Sequence, residues 1–114
     1  YLFYSGDCYD NHRYCVGVAR SEHLAGPYTK AAAPVLSSGR GWAGPGHCVV
    51  LPTETDDVMV YHAWPSATLG GRGQRGNGRQ VLADRVRWTD GWPEVGTSGT
   101  PTVGPQASFT QDAA

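Results

Sequence analysis

The sequence predicts an all-β fold of two successive antiparallel meanders, and three observations carry that expectation. Apolar residues fall in short runs such as Cys48-Val49-Val50-Leu51, of strand length and far below the roughly 20 residues of a membrane helix. Gly and Pro make up 24 of 114 residues, about twice average usage, which argues against helical bundles and supplies turns. The runs are rich in aromatic and β-branched residues, which favour a pleated, half-buried backbone.

Tyr1 to Ser5 reads as the first strand. Gly6-Asp7 and Asp10-Asn11 supply turn chemistry before a second run, His12 to Arg20, in which Tyr14, Val16 and Val18 alternate with Cys15, Gly17 and Ala19. Both faces of that run are apolar, as in a sheet packed on two sides. Ala25-Gly26-Pro27 breaks the chain, Tyr28-Thr29-Lys30 and Pro34-Val35-Leu36 read as short edge pieces, and 37–44 as a Gly/Ser loop carrying Arg40 and Trp42. The second meander opens at Gly44-Pro45-Gly46-His47, runs to Leu51, turns through Pro52 to Asp56 and returns over Asp57 to Trp64. A hairpin centred between Glu54 and Thr55 places His47 opposite His62, Val49 opposite Val60 and Leu51 opposite Val58. Asn77-Gly78 is a turn signal before Arg79 to Trp88, where Leu82, Val86 and Trp88 share a face, although Val81-Leu82 with Arg85-Val86 also fits a short helix. Thr89 to Pro93 turns the chain again. From Gly96 onward Thr, Ser, Gly and Pro dominate, so 96–114 reads as a tail or linker after a body at 1–95.

Nine basic against ten acidic residues leave a net charge of -1, which gives no global attraction to nucleic acid or an anionic membrane. Three cysteines, Cys8, Cys15 and Cys48, are too few for a disulfide framework and form no C-x-x-C metal pair. Cys8 and Cys15 flank a turn, where either a bridge or two small thiols fits. The sequence opens inside a strand-like run, without Met or signal peptide, and reads as part of a longer protein. Two four-stranded meanders of about 40 to 50 residues resemble propeller blades, of which a closed ring takes four to eight.

Taken in order, Tyr1-Leu2-Phe3-Tyr4-Ser5, Val18-Ala19-Arg20-Ser21 with Gly26-Pro27-Tyr28, and Gly44-Pro45-Gly46-His47 form a specific set with three later motifs. Those are Val60-Tyr61-His62-Ala63-Trp64, Gly78-Arg79, and Trp88 with Asp90-Gly91-Trp92-Pro93. The set resembles the C-terminal two blades of glycoside hydrolase family 43, five-bladed β-propellers that include arabinanases, arabinofuranosidases and β-xylosidases. The resemblance implies an inverting glycosidase acting on O-glycosidic bonds in arabinose- or xylose-containing polysaccharides or oligosaccharides of plant cell-wall type, secreted or periplasmic at full length. It implies a general-base Asp, a pKa-tuning Asp and a general-acid Glu upstream of Tyr1, with the rest of the propeller, and hence no catalytic acid here and an inactive fragment. Inversion requires two carboxyls roughly 6.5–9.5 Å apart with a water between them.

Two residues carry over from the family's motifs. His47 matches the histidine that reaches the propeller axis and binds a calcium-like divalent ion or its water shell. Arg79 matches the arginine that points into the innermost sugar subsite, where a guanidinium donates paired hydrogen bonds to hydroxyls. Cys8 and Tyr9 lie where the family places residues rimming the pocket. The family gives His62 no ligand role, so it reads as packed with Tyr61 and Trp64.

The acids present fit that picture, most of them in or beside turns. Asp84 alone sits mid-strand and reads as solvated or paired with Arg85 or Arg87. Gly71-Arg72-Gly73-Gln74-Arg75-Gly76 satisfies G-x-G-x-x-G but lacks the strand before it and the helix after it that a dinucleotide site needs. As an RGG-like element it lacks aromatic stacking partners, so neither nucleic acid nor a membrane is an expected partner. The rival reading is a non-catalytic carbohydrate-binding module in which Trp42, Trp64 or Trp88 stacks on sugar faces.

Overall fold

A computed structural model describes residues 1–68 and 78–109. They form two antiparallel sheets. The first contains β1 (Leu2–Gly6), β2 (Cys15–Arg20) and β3 (Thr29–Lys30) in the order β1-β2-β3. The second contains β4 (Trp42–Pro52), β5 (Asp57–Pro65), β6 (Gln80–Thr89) and β7 (Trp92–Val95) as a four-stranded meander, with a single 3-10 turn at Ser66–Thr68 after β5. Among the described residues no helix is long and apolar enough to cross a membrane. The Gly71-Arg72-Gly73-Gln74-Arg75-Gly76 motif and the last five residues lie outside the described residues.

The all-β, blade-like fold agrees with the sequence reading, with one correction: the first meander has three strands rather than four. Its outer edge is β3 followed by the 34–36 segment, which hydrogen-bonds to Val16 through Val16 N to Leu36 O (2.9 Å) and Val35 N to Val16 O (2.8 Å). Pro34 has no N–H to donate and suits such an edge. The 80–89 run is a strand throughout, paired from Asp57↔Val86 to Ala63↔Gln80, so the helical alternative over Val81 to Val86 is discarded. At the β6–β7 hairpin, Thr89 pairs Trp92 across a two-residue turn in which Asp90 (φ 52) and Gly91 (φ 77) are both left-handed. That is the conformation whose twist matches the flanking strands, and Asp-Gly is a preferred pair for it.

The core lies between the sheets. Val16, Val18 and Leu36 from the first meet Met59, Tyr61, Ala63, Val86 and Val95 from the second. Period-two alternation explains it: Met59, Tyr61 and Ala63 are successive inward positions of β5, and Leu82, Asp84 and Val86 share one face of β6. Asp84 therefore departs from its solvated reading. It is 2% exposed, accepts a 2.6 Å hydrogen bond from the Tyr61 hydroxyl and a 3.3 Å bond from Thr102 N, and Arg85 turns instead to Asp56 at 3.3 Å.

Residues 96–109 contain no helix or strand, but they run back over the second sheet. Arg87 Nη2 donates to Gly96 O (2.6 Å), Gln106 Nε2 to Ala83 O (2.9 Å) and Arg85 Nη2 to Ala107 O (3.0 Å), while Arg85 also covers the Phe109 ring at 4.7 Å. Cys8, Cys15 and Cys48 are free thiols, so the bridge considered between Cys8 and Cys15 is not formed.

Candidate functional site

The start of β4 is built around two bulges. Ala43 pairs Trp64, Gly46 pairs His62 and Val49 pairs Val60, so Gly44-Pro45 oppose one residue and His47-Cys48 oppose another. A bulge bends its strand and re-aims side chains, and bulges cluster beside active sites. Glycine is required here by close approach: a Cβ on Gly44 would lie 2.7 Å from the Trp64 ring, and one on Gly46 would lie 2.0 Å from the Tyr14 ring. The Gly-x-Gly spacing thus lets two aromatic rings close over the strand.

The expected pairing of Val49 with Val60 and of Leu51 with Val58 is observed, but His47 is displaced. Gly46, not His47, faces His62. His47 sits in the bulge with φ 54, its N–H held by Ser5 Oγ at 2.9 Å, and its side chain is exposed. A non-glycine residue in that region costs about 1–2 kcal/mol, and such outliers persist where the surrounding structure fixes them. Here the fixing groups are the two bulges and Ser5.

The rings of His47 and His62 nevertheless lie close, with centroids 5.7 Å apart, and Tyr14 also stacks on His62 at 6.2 Å and 25°. His62 Nδ1 is buried and meets no hydrogen-bond partner among the described residues. Burial lowers the proton affinity of His62, the charge of Arg79 adds to that, a backbone hydrogen bond opposes it, and the charge of His47 lowers it slightly further. The neutral form of His62 is therefore favoured, with the Tyr14 and His47 rings both beside it.

Arg79 lies just before β6. Its guanidinium stacks over Trp64 at 4.0 Å, donates from Nη2 to Tyr9 O at 2.7 Å and lies 5.9 Å from the Tyr9 ring. Two of the expected site residues, Arg79 and Tyr9, thus meet across 70 positions of sequence. Tyr9 is 65% exposed on the β1–β2 loop. Cys8 shares that loop, bound through N to Asp7 Oδ1 (2.6 Å) and through Sγ to Asp10 Oδ1 (2.9 Å), which turns it toward its own loop. Sequence reasoning missed Trp64 as the bed for Arg79 and Tyr14 as the wall behind His62. The signal available was Gly44 and Gly46, each leaving room for one ring.

The calcium-like ion finds little here to hold it. Among the described residues no three His, Cys, Asp or Glu side chains converge, whereas calcium takes six to eight oxygen ligands. His47 offers one exposed imidazole nitrogen donor and its ring neighbour His62 is another imidazole, so the described residues alone do not fit that ion.

The ends of β1, β4, β5 and β6 thus bring an anchored guanidinium, two imidazoles, the exposed Tyr9 ring and the half-buried Trp64 ring to one rim. Such a set can donate hydrogen bonds to hydroxyls and stack on apolar faces, but it contains no carboxyl pair for acid–base chemistry. Residues 1–93 match the profile of Glycosyl hydrolases family 43. Among solved structures the chain is similar to a thermostable family-43 glycoside hydrolase, at 31% identity over 93% of this chain and 34% of that one, with a TM-score of 0.68. It is similar to an endo-1,4-β-xylanase from Bacteroides thetaiotaomicron, at 27% identity over 88% and 34%, with a TM-score of 0.67. The α-L-arabinanase of Cellvibrio cellulosa complexed with arabinohexaose shares the fold, at 21% identity over 82% and 31%, with a TM-score of 0.62. The chain spans about a third of the length of these proteins. It belongs to glycosyl hydrolases family 43.

Proposed function

We propose that this chain supplies a sugar-binding wall of a glycosidase acting on O-glycosidic bonds in arabinose- or xylose-containing polysaccharides or oligosaccharides. The observation that carries the reading is Arg79, whose guanidinium is fixed by Trp64 at 4.0 Å and by Tyr9 O at 2.7 Å. A planar donor fork held on a ring loses little freedom when it binds paired hydroxyls. In this reading Tyr9 adds an exposed ring beside the guanidinium, Cys8 precedes it on the same loop, and His47 stands against His62. Any ligation of a divalent ion by His47 rests on donors outside the described residues.

The acids that do the chemistry lie outside these 114 residues. The nearest candidates are already engaged: Asp7 accepts from Cys8 N and pairs with Arg13 at 3.5 Å, Asp10 accepts from Cys8, and Asp84 is buried against Tyr61. The 114-residue chain is expected to show no turnover of 4-nitrophenyl α-L-arabinofuranoside or β-D-xyloside. Arabinohexaose or xylohexaose is expected to shift the indole N–H resonance of Trp64, beneath Arg79, with an affinity weakened at least about tenfold by Arg79→Ala. Turnover lost on Asp84→Asn, or binding indifferent to Arg79→Ala, overturns the reading.

A further inference from the structure

At the opposite end of the strands from Arg79, a second aromatic surface borders a cleft. Trp88 lies nine residues along β6 from Arg79, roughly 30 Å of extended strand. It is 43% exposed, more open than the other three tryptophans, and its ring lies 4.6 Å from that of Tyr1, itself 56% exposed. Both rings are fixed by their polar ends: the Trp88 indole N–H donates to Asp57 Oδ2 at 2.9 Å and the Tyr1 hydroxyl to Gly91 O at 2.5 Å. Both rings thus stay partly exposed while their orientations are set. Tyr1 also walls a cleft of about 490 Å³ lined by Arg20, Ser21, Glu22, His23 and Thr29, a size within the usual range for small-ligand sites.

The charge in that cleft is largely committed or balanced. Arg20 stacks on Trp92 at 4.1 Å and donates to Gly91 O at 2.9 Å, and Glu22 stands on the same lining. What remains is a set of hydroxyl, carboxylate and imidazole groups beside two fixed aromatic faces. That combination suits a neutral polyol with an apolar ring face rather than an anion or an apolar chain. We infer that Trp88 and Tyr1, with the Arg20–Thr29 cleft, form a second binding site for a neutral oligosaccharide, separate from the Arg79 rim. Such a site tethers a chain polymer to the protein without taking part in bond cleavage, and it does not depend on the reading of Arg79.

The test is a titration of the 114-residue chain with xylohexaose, and in a second arm arabinohexaose, followed through the tryptophan indole N–H resonances. A saturable shift of the Trp88 resonance is expected with at least one of the two sugars. Arg79→Ala is expected to leave that shift unchanged, and in the Arg79→Ala background, where calorimetry reads the second site alone, Trp88→Ala is expected to weaken binding at least about tenfold, from the aromatic area lost. The double variant Glu22→Ala, His23→Ala changes only exposed side chains and is expected to weaken it severalfold, which covers a failure of Trp88→Ala to fold. The inference is overturned by a Trp88 resonance unmoved by both sugars, by unchanged affinity in Trp88→Ala and the double variant, or by loss of the Trp88 shift in Arg79→Ala. A shift at Trp64 alone refutes this site and leaves the Arg79 reading standing. A shift at Trp88 alone does the reverse.

Discussion

Replacing His47 by alanine and by glycine separates the backbone strain at this position from the chemistry of its side chain. With φ at 54, any Cβ at residue 47 crowds the following carbonyl, at about 1–2 kcal/mol, and alanine keeps that crowding while glycine removes it. Glycine also loses more chain entropy on folding, by roughly 0.5–1 kcal/mol relative to alanine. The imidazole is exposed, so its removal sacrifices little burial in either variant. The difference leaves His47→Gly more stable than His47→Ala, by up to about 1.5 kcal/mol. Urea denaturation of both variants, compared at equal m-values, measures this directly. If His47→Ala is the more stable of the two, residue 47 is not left-handed in solution and the two-bulge account of the β4 start is wrong. If the account holds, the strained histidine is kept at a cost in stability, as expected of a side chain aimed for use.

Other expectations concern the core, the site and the thiols. Tyr61→Phe removes the 2.6 Å bond to Asp84 from a carboxyl that is 2% exposed, and about 1.5–3 kcal/mol of stability goes with it, read as a lower thermal midpoint. Because His62 takes up a proton less readily folded than unfolded, its contribution is complete above its ordinary value of 6.5 and is lost as pH falls through the lowered one. Urea midpoints between pH 8 and 5 should accordingly fall less steeply in His62→Asn than in the parent chain. Calorimetric titration with calcium should find no site tighter than about millimolar, the weak end of protein calcium sites. Stoichiometric binding abolished by His47→Ala would contradict the donor count. With a disulfide-exchange reagent, Cys8 should react first, while Cys15 and Cys48, whose thiol pKa values burial raises, follow slowly.

Much of the second sheet was legible because alternation and turn chemistry agreed. Val49–Val60 and Leu51–Val58 pair as the hairpin centre between Glu54 and Thr55 requires. The same arithmetic fails at His47, because a period-two rule assumes one residue against one and Gly44-Pro45-Gly46-His47-Cys48 contains two places where two oppose one. Asp84 was misjudged by its neighbours Arg85 and Arg87, although its parity with Leu82 and Val86 already put it on the inner face. The fourth strand of the first meander failed because Pro34-Val35-Leu36 holds its neighbour by bonds to Val16 alone. Within the site, individual residues were readable from motifs, but their meeting was not. Nothing local in Arg79 indicates that Tyr9 O and the Trp64 ring will fix it, since the first contact depends on how two sheets pack and the second on the β5–β6 register that sets Ala63 against Gln80.

The most direct test of the central claim is a crystal structure of this chain with arabinohexaose or xylohexaose bound. The account predicts a sugar hydroxyl within hydrogen-bond distance of the Arg79 guanidinium, beside the Trp64 ring and within reach of Tyr9. A sugar seated only elsewhere, with Arg79 still resting on Trp64 and touching no hydroxyl, would contradict it.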